Sequence, residues 1–330
     1  MSLCLRDKML IHFFFHFVIV RRTMSIFFVV GLDDEEKITR RVCCISLERP
    51  DSVSTIDSTP ACVGEGAAAC VMGNTLYTVG IGRAGTKLWK WNATSDWTRC
   101  SDMTSGRRWH CAAVVDLMLY ALGGWVDFYD VKTLSNRVEA YNTQTNKWSA
   151  AGQLKHAVCL AACVSYNNLN YVFGGVDLKG KAVSHVQVYD ASQHKCTLLH
   201  NAMPRTEYRM RAVRWETYAI LLGRETCFIY NFETETWQER ASFKTNVNEF
   251  GLVVDNQTLY IAGGNNTLTA EVLRVSVRDV IEDKQGARWT HHATLPHPAR
   301  VHVFSPVPLY RLSTKARPAQ SEQLRVIIMI

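Results

Sequence analysis

The chain has 330 residues, 47% hydrophobic and 10% aromatic, with a formal net charge of +7. These are globular values and exclude wholesale disorder. The charge is modest for this length and no basic run interleaves with aromatics, so nothing supports nucleic-acid binding.

In chain order, residues 9–20, MLIHFFFHFVIV, form an apolar run behind Arg6 and Lys8. The run is shorter than the ~20 residues a membrane helix needs. Arg21 and Arg22 interrupt it, and no small-residue cleavage site follows. Residues 1–24 are therefore expected to be a leader outside the folded domain, disordered or non-native, and a membrane association is not expected. IFFVVG at 26–31 and VCCISL at 42–47 read as strands of an incomplete unit, with DDEE at 33–36 as a solvated loop or an acidic contact between them.

A phrase then recurs: LYTVGIG at 76–82, LYALGG at 119–124, NYVFGG at 170–175 and LYIAGG at 259–264. A period of about 50 residues marks a repeat architecture. Residues 107–154 show the unit most fully. Trp109–Val115 and Leu117–Leu122 read as strands, the second ending in Gly123–Gly124. Arg137–Tyr141 alternates as a third strand, NTQTN at 142–146 is a turn, and Trp148 sits on a short outer strand. Tyr141 precedes Trp148 by seven positions, as Tyr230 precedes Trp237 and Tyr189 precedes Cys196. Four antiparallel strands stacked radially make a propeller blade, and Tyr and Trp are the plates that fill the gap between neighbours.

Three units depart from the pattern. The first keeps one glycine, Gly31, and no outer Trp, and TYAILLG at 217–223 keeps one late glycine, Gly223, so distortion of both blades is expected. Arg278–Gly286 reads as an exposed charged loop, and His291–His292 with His297 as exposed histidines on an outer strand. Ala299–Pro306 resembles a first strand with no unit behind it and is expected to pair with the first unit. Residues 310–330 are expected to be a tail.

The eleven cysteines are odd in number and form no CxxC pair, so neither a zinc site nor a redox motif is indicated. Free buried thiols fit a reducing, intracellular compartment. The Asn-x-Thr triplets at Asn92, Asn256 and Asn265 carry little weight against this, because such triplets arise readily in Asn/Thr-rich turns. There is no G-x-S-x-G, no Gly-rich phosphate loop with a lysine and no plausible carboxylate pair. No catalytic residue, metal or cofactor is expected.

The apolar-Tyr, Gly-Gly, V-x-x-Y and Trp series resembles the Kelch repeat over residues 25–309. The resemblance implies an all-β fold: a six-bladed Kelch β-propeller of four-stranded antiparallel blades, its ring closed by a C-terminal strand. The blades fall near 25–60 plus 299–306, 62–103, 107–154, 157–203, 208–243 and 248–295. In a propeller, the loops leading into the first strands and those after Gly-Gly crowd one mouth of the central channel. That places Arg108, Trp109, Arg205, Tyr208, Arg209 and Asn248 beside Trp125, Asp177 and Asn265 as candidate partner contacts. Arginine and aromatics form interface hot spots, and clustered arginine favours an acidic or phosphorylated peptide. The alternative is that these residues are solvated or pack the blades.

The six-unit count, the closing strand and the free cysteines are similar to the C-terminal halves of BTB–BACK–Kelch (Kelch-like) proteins. That likeness implies a cytoplasmic substrate receptor for a cullin-type ubiquitin ligase, with a protein or peptide partner. Residues 1–24 are too short for a BTB or BACK domain, so a cullin contact is not expected from this chain alone. A scaffold binding actin, and a propeller enzyme with metal ligands at the channel mouth, are the alternative readings.

Overall fold

A computed structural model describes residues 23–32, 41–46, 53–58, 66–81, 84–92, 95–128, 131–245, 247–264, 270–295 and 300–309. Five blades, each a four-stranded antiparallel sheet continuous in the chain, follow one another. From inner to outer strand, blade one comprises Ala68–Met72, Thr75–Ile81, Lys87–Asn92 and Ser95–Arg99. Blade two comprises Cys111–Val115, Met118–Leu122, Arg137–Asn142 and Lys147–Gln153. Blade three comprises Ala162–Tyr166, Leu169–Phe173, Val186–Asp190 and Lys195–Leu198. Blade four comprises Arg211–Trp215, Tyr218–Leu222, Cys227–Asn231 and Thr236–Glu239. Blade five comprises Gly251–Asp255, Thr258–Ala262, Glu271–Ser276 and Thr290–Thr294.

The sequence counted six units, and the remaining sheet is of a different kind. It is composite, ordered Arg300–Leu309, Thr23–Leu32, Arg41–Ser46, Val53–Ser58. Its C-terminal strand pairs antiparallel with Thr23–Leu32 and lies against the inner strands of blades one and five. The first and last described strands of the chain thereby close the ring. The expectations for 1–22 and 310–330, and those for Asp33–Glu36, Asn265 and His297, lie outside the described residues.

The repeated aromatics wedge the blades as their size requires. The second-strand Tyr of one blade meets the third-strand Tyr of the next: Tyr77 with Tyr141 at 6.2 Å, Tyr120 with Tyr189 at 5.8 Å, Tyr171 with Tyr230 at 6.2 Å. Trp residues on or just before the outer strands add polar bonds across the joints. Their indole N–H groups donate to the preceding blade's exit loop, Trp148 to Ser101 O at 2.8 Å, Trp237 to Asn201 O and Trp289 to Phe243 O, both at 3.2 Å. Blade three carries Cys196 in place of the Trp. There the joint to blade two is bridged instead by Tyr189, whose hydroxyl donates to Ala151 O.

Three expectations are corrected. Blade four is regular, with all four strands in register despite its single glycine. The segment 277–281 is a short helix (Val277–Ile281) rather than a loop. Ser276 caps it by accepting from Asp279 N, and Val277 and Val280 are buried. Together with Phe243 and Phe250 they fill the joint between blades four and five, where Ile220 and Val275 occupy the positions that elsewhere hold the tyrosine pair. His292 is buried against Tyr260, ring centroids 5.2 Å apart, while His291 is exposed. The two residues alternate faces, as strand geometry dictates.

Candidate functional site

The candidate site is the mouth of the axial channel. One residue in each loop leading into an inner strand has a left-handed backbone: Gly66 at φ 84°, Trp109 at 51°, Leu160 at 55°, Arg209 at 57° and Glu249 at 53°. Non-glycine residues adopt this conformation rarely, so its repetition marks a structural demand. Main-chain bonds meet that demand. Trp109 N donates to Gly66 O at 2.8 Å, Leu160 N to Trp109 O at 2.9 Å, and Arg209 N to Leu160 O at 2.8 Å. Blades one to four are thus tied edge to edge around the mouth.

Below this collar a cavity of about 500 Å³ follows the axis and is lined by the inner strands of all five blades. Small residues make up much of its wall, among them Ala67 to Ala69, Ala112, Ala113, Ala161, Ala162 and Gly251. Its charged lining residues are Arg209, Arg211, Arg214 and Glu249, so guanidinium groups outnumber carboxylates. Burial lowers the pKa of Arg211, with Glu249 opposing the shift.

The candidate residues divide. Arg108 and Trp125 form an antiparallel bridge, each N–H donating to the other's carbonyl at 2.8 Å. Trp109 lies edge-on to Trp125, centroids 6.3 Å apart, and lines the cavity. Arg209 also lines it, with Nη1 3.7 Å from Glu249 Oε1. Tyr208 is exposed to 46% beside them, and Asn248 is half-buried. Arg205 stands apart. It pairs with Glu239 on the outer strand of blade four, lies 5.7 Å over the Phe228 ring and does not line the cavity. Asp177 closes its own turn, accepting from Lys179 N and Lys181 N at 2.8 and 2.9 Å. The bonds to its backbone donors, Lys181 first, hold that carboxyl below its ordinary range.

Several contributors were not anticipated. Trp125–Phe128 and Val131–Leu134 form a two-stranded ribbon at the mouth of blade two. Leu178, 67% exposed, sits at the tip of blade three's post-glycine turn. That turn abuts the Tyr208 loop, since Gly175 N donates to Glu207 O. Arg107 is a positioning residue. It is fully buried, ion-paired with Glu139, and donates to Gly123 O at 3.0 Å and Arg137 O at 2.9 Å, which fixes the post-glycine turn of blade two. Glu139 in turn accepts from Thr104 N at 2.9 Å. Sequence offered one signal for this pair, an Arg next to the candidate Arg108, but no means of choosing which of the two points inward.

Among the described residues no group of three or more His, Cys, Asp or Glu could hold a metal ion. Seven cysteines there are free thiols. Among the described residues no helix is long and apolar enough to cross a membrane.

Comparison with known proteins agrees with this architecture. The Kelch motif family model matches residues 107–155. Kelch-like protein 23 of Homo sapiens is 27% identical over 220 residues, 65% of this chain and 38% of the relative. Kelch repeat and BTB domain-containing protein 4 of Homo sapiens is 31% identical over 188 residues, 55% of this chain and 34% of the relative. The chain therefore spans between a third and two fifths of these relatives' length. The solved structure of YjhT superposes with a TM-score of 0.58 at 18% identity, covering 72% of this chain and 82% of that one, a likeness of fold alone. The chain is a Kelch-repeat propeller similar to those of Kelch-like proteins.

Proposed function

We propose that this propeller is the substrate-recognition part of a Kelch-like adaptor for a cullin-type ubiquitin ligase, and that it meets its protein partner at the channel mouth. One observation carries the choice of face. Five equivalent collar positions hold Gly66, Trp109, Leu160, Arg209 and Glu249, so a uniform frame presents five different chemistries. Trp109, Tyr208 and Leu178 supply apolar anchors beside Arg209, a combination suited to a protein surface or peptide. In this reading the cullin is engaged through a BTB domain of the kind named in one relative. Free, buried thiols fit a reducing compartment, and the reading places the protein in the cytoplasm.

The test is affinity capture from cell lysate with the chain and with a Tyr208→Ala, Leu178→Ser variant. Both side chains are exposed, so the fold should survive their loss. At least one partner should be lost from the variant, and that partner should accumulate in cells when cullin neddylation is blocked. Retention of every captured partner would refute the chosen face. A lost partner that does not respond to the block would refute the ligase role.

A further inference from the structure

The turns between third and fourth strands lie at the end of the propeller opposite the channel mouth. In blades two, three and four they are framed by the pairs Asn142–Lys147, Asp190–Lys195 and Asn231–Thr236. The last residue inside each turn is left-handed: Asn146 at φ 54°, His194 at 54° and Glu235 at 52°. In blades two and three its side chain turns inward to the tyrosine five positions before it. Tyr141 OH donates to Asn146 Oδ1 at 2.8 Å, and Tyr189 OH lies 3.1 Å from His194 Nδ1. Tyr230 holds the same register and is 0% exposed, yet its hydroxyl has no hydrogen-bond partner. Glu235 is exposed and does not take it. The carboxylate is still close, since burial first and then the Glu235 charge raise the pKa of the Tyr230 phenol. A buried hydroxyl without a partner is costly, so its persistence calls for an explanation.

The explanation lies in what surrounds Glu235. Phe232 N donates to Thr217 O at 2.9 Å, which brings the first hairpin of the blade, with Glu216, to the turn that carries Glu233 and Glu235. All three glutamates are exposed, and none has a cationic partner among the described residues. Blades two and three close the equivalent turns with Lys147 and Lys195, where blade four has Thr236. In a chain of net charge +7 this sector is therefore locally acidic. Half-buried rings adjoin it. Tyr166 stacks on Phe232 with centroids 4.4 Å apart, and Trp215 stacks on Tyr218 at 6.3 Å, its indole N–H fixed on Asn256 O at 3.0 Å. Carboxylates beside aromatic rings suit a lysine or arginine side chain, which gains charge-assisted hydrogen bonds from the first and cation–π contact from the second.

We infer that the distal turns of blade four, with Glu216, Glu233 and Glu235 beside Tyr166 and Trp215, form a docking surface for a basic segment of a partner protein. Glu235 faces outward for that contact, and the Tyr230 hydroxyl goes unpaired as a result. The surface is at the opposite end from the channel mouth and does not depend on the mouth being the face that meets partners.

The full chain would be titrated calorimetrically, at low and at high salt, with the end-blocked peptide Gly-Arg-Gly-Arg-Gly-Lys-Gly and with its counterpart carrying Gln at the three basic positions, while NMR follows the tryptophan indole signals. Saturable, salt-sensitive binding of the basic peptide is expected, with displacement of the Trp215 signal. Glu216→Gln with Glu233→Gln should weaken it about tenfold. Glu235→Asn should weaken it about threefold and raise the urea midpoint, because asparagine there takes the Tyr230 hydroxyl as Asn146 takes that of Tyr141. Asp102→Asn, which breaks an exposed pair with Arg99 in the exit loop of blade one, should leave the affinity unchanged. These side chains are exposed, so the variants should fold. Absence of saturable binding, equal affinity for the Gln peptide, or affinity unchanged by Glu216→Gln with Glu233→Gln overturns the docking surface. A Glu235→Asn protein that gains stability and binds as wild type does overturns the role given to Glu235.

Discussion

His110 makes this propeller acid-labile in a way that one substitution can isolate. The ring is buried between two glycines. A Cβ on Gly80 would lie 2.7 Å from His110 Cε1, and one on Gly124 would lie 2.7 Å from His110 Cβ. Burial, reinforced by the nearby Arg107 charge, lowers its pKa from 6.5 to about 3. A histidine depressed in the folded state lets the unfolded chain bind the proton first. Nothing is lost above pH 6.5, and stability falls by about 1.4 kcal/mol for each pH unit below it until the folded pKa is reached. The cost is about 2 kcal/mol at pH 5. The control is His110→Met, and blade four supplies the precedent, since Met210 occupies the equivalent position after Arg209 and is buried. Urea unfolding of both proteins between pH 7.5 and 4.5 reads the difference, which cancels the other histidines. Wild type should lose ground to His110→Met steadily below pH 6.5. Parallel pH profiles for the two proteins would refute the reasoning.

The Arg107–Glu139 pair should behave as a buried ion pair. Arg107→Met leaves a buried carboxylate without its cation and should cost about 3–5 kcal/mol in urea unfolding, whereas adding Glu139→Leu should recover much of the loss. Trp237→Phe removes the bond to Asn201 O and should cost about 1 kcal/mol. Trp237→Ala also forfeits ring contacts to Tyr230 and Phe173 and should cost about 3 kcal/mol. Gly124→Ala combines φ 100° with a Cβ only 2.9 Å from Arg108 O, and should lower stability by ~2 kcal/mol or more in the same assay.

The frame was legible because its side chains do the repeating. Tyr141 and Trp148, like Tyr230 and Trp237, sit on paired strands and must recur to fill each joint. Cys196 for Trp and Gly223 for a glycine pair break the pattern without breaking the fold, because Tyr189 and the regular register of blade four compensate. The helix Val277–Ile281 escaped notice because VRDVI, a short charged stretch, is helical by virtue of burying Val277 and Val280 in a joint that lacks the tyrosine pair. Residue type and loop position anticipated the placement of Trp109, Trp125 and Arg209 at the mouth, but not that of Arg205. Its loop is long enough to return the guanidinium to Glu239 on the outer strand, and loop position alone does not report that direction. Arg211 and Glu249 were missed because a charged residue at a strand end reads as solvated until the ring brings the two together.

The collar explains why the same sequence yields its frame readily and its site poorly. The bonds that join Trp109 to Gly66, Leu160 to Trp109 and Arg209 to Leu160 are main chain to main chain. They require a left-handed backbone at each position and make no demand on the side chain. Residues as unlike as Gly, Trp, Leu, Arg and Glu adopt that backbone, and at Trp109, Leu160 and Arg209 the collar bonds offset its modest conformational cost. The wedge positions are the reverse case: there the side chain itself fills the joint, and changing it changes the packing. The wedges that pack the blades and the side chains of the proposed recognition face are therefore held by different atoms of one repeat. Periodicity in the sequence reports the side-chain wedges, while the mouth is free to vary blade by blade because its geometry is held by atoms that every residue possesses.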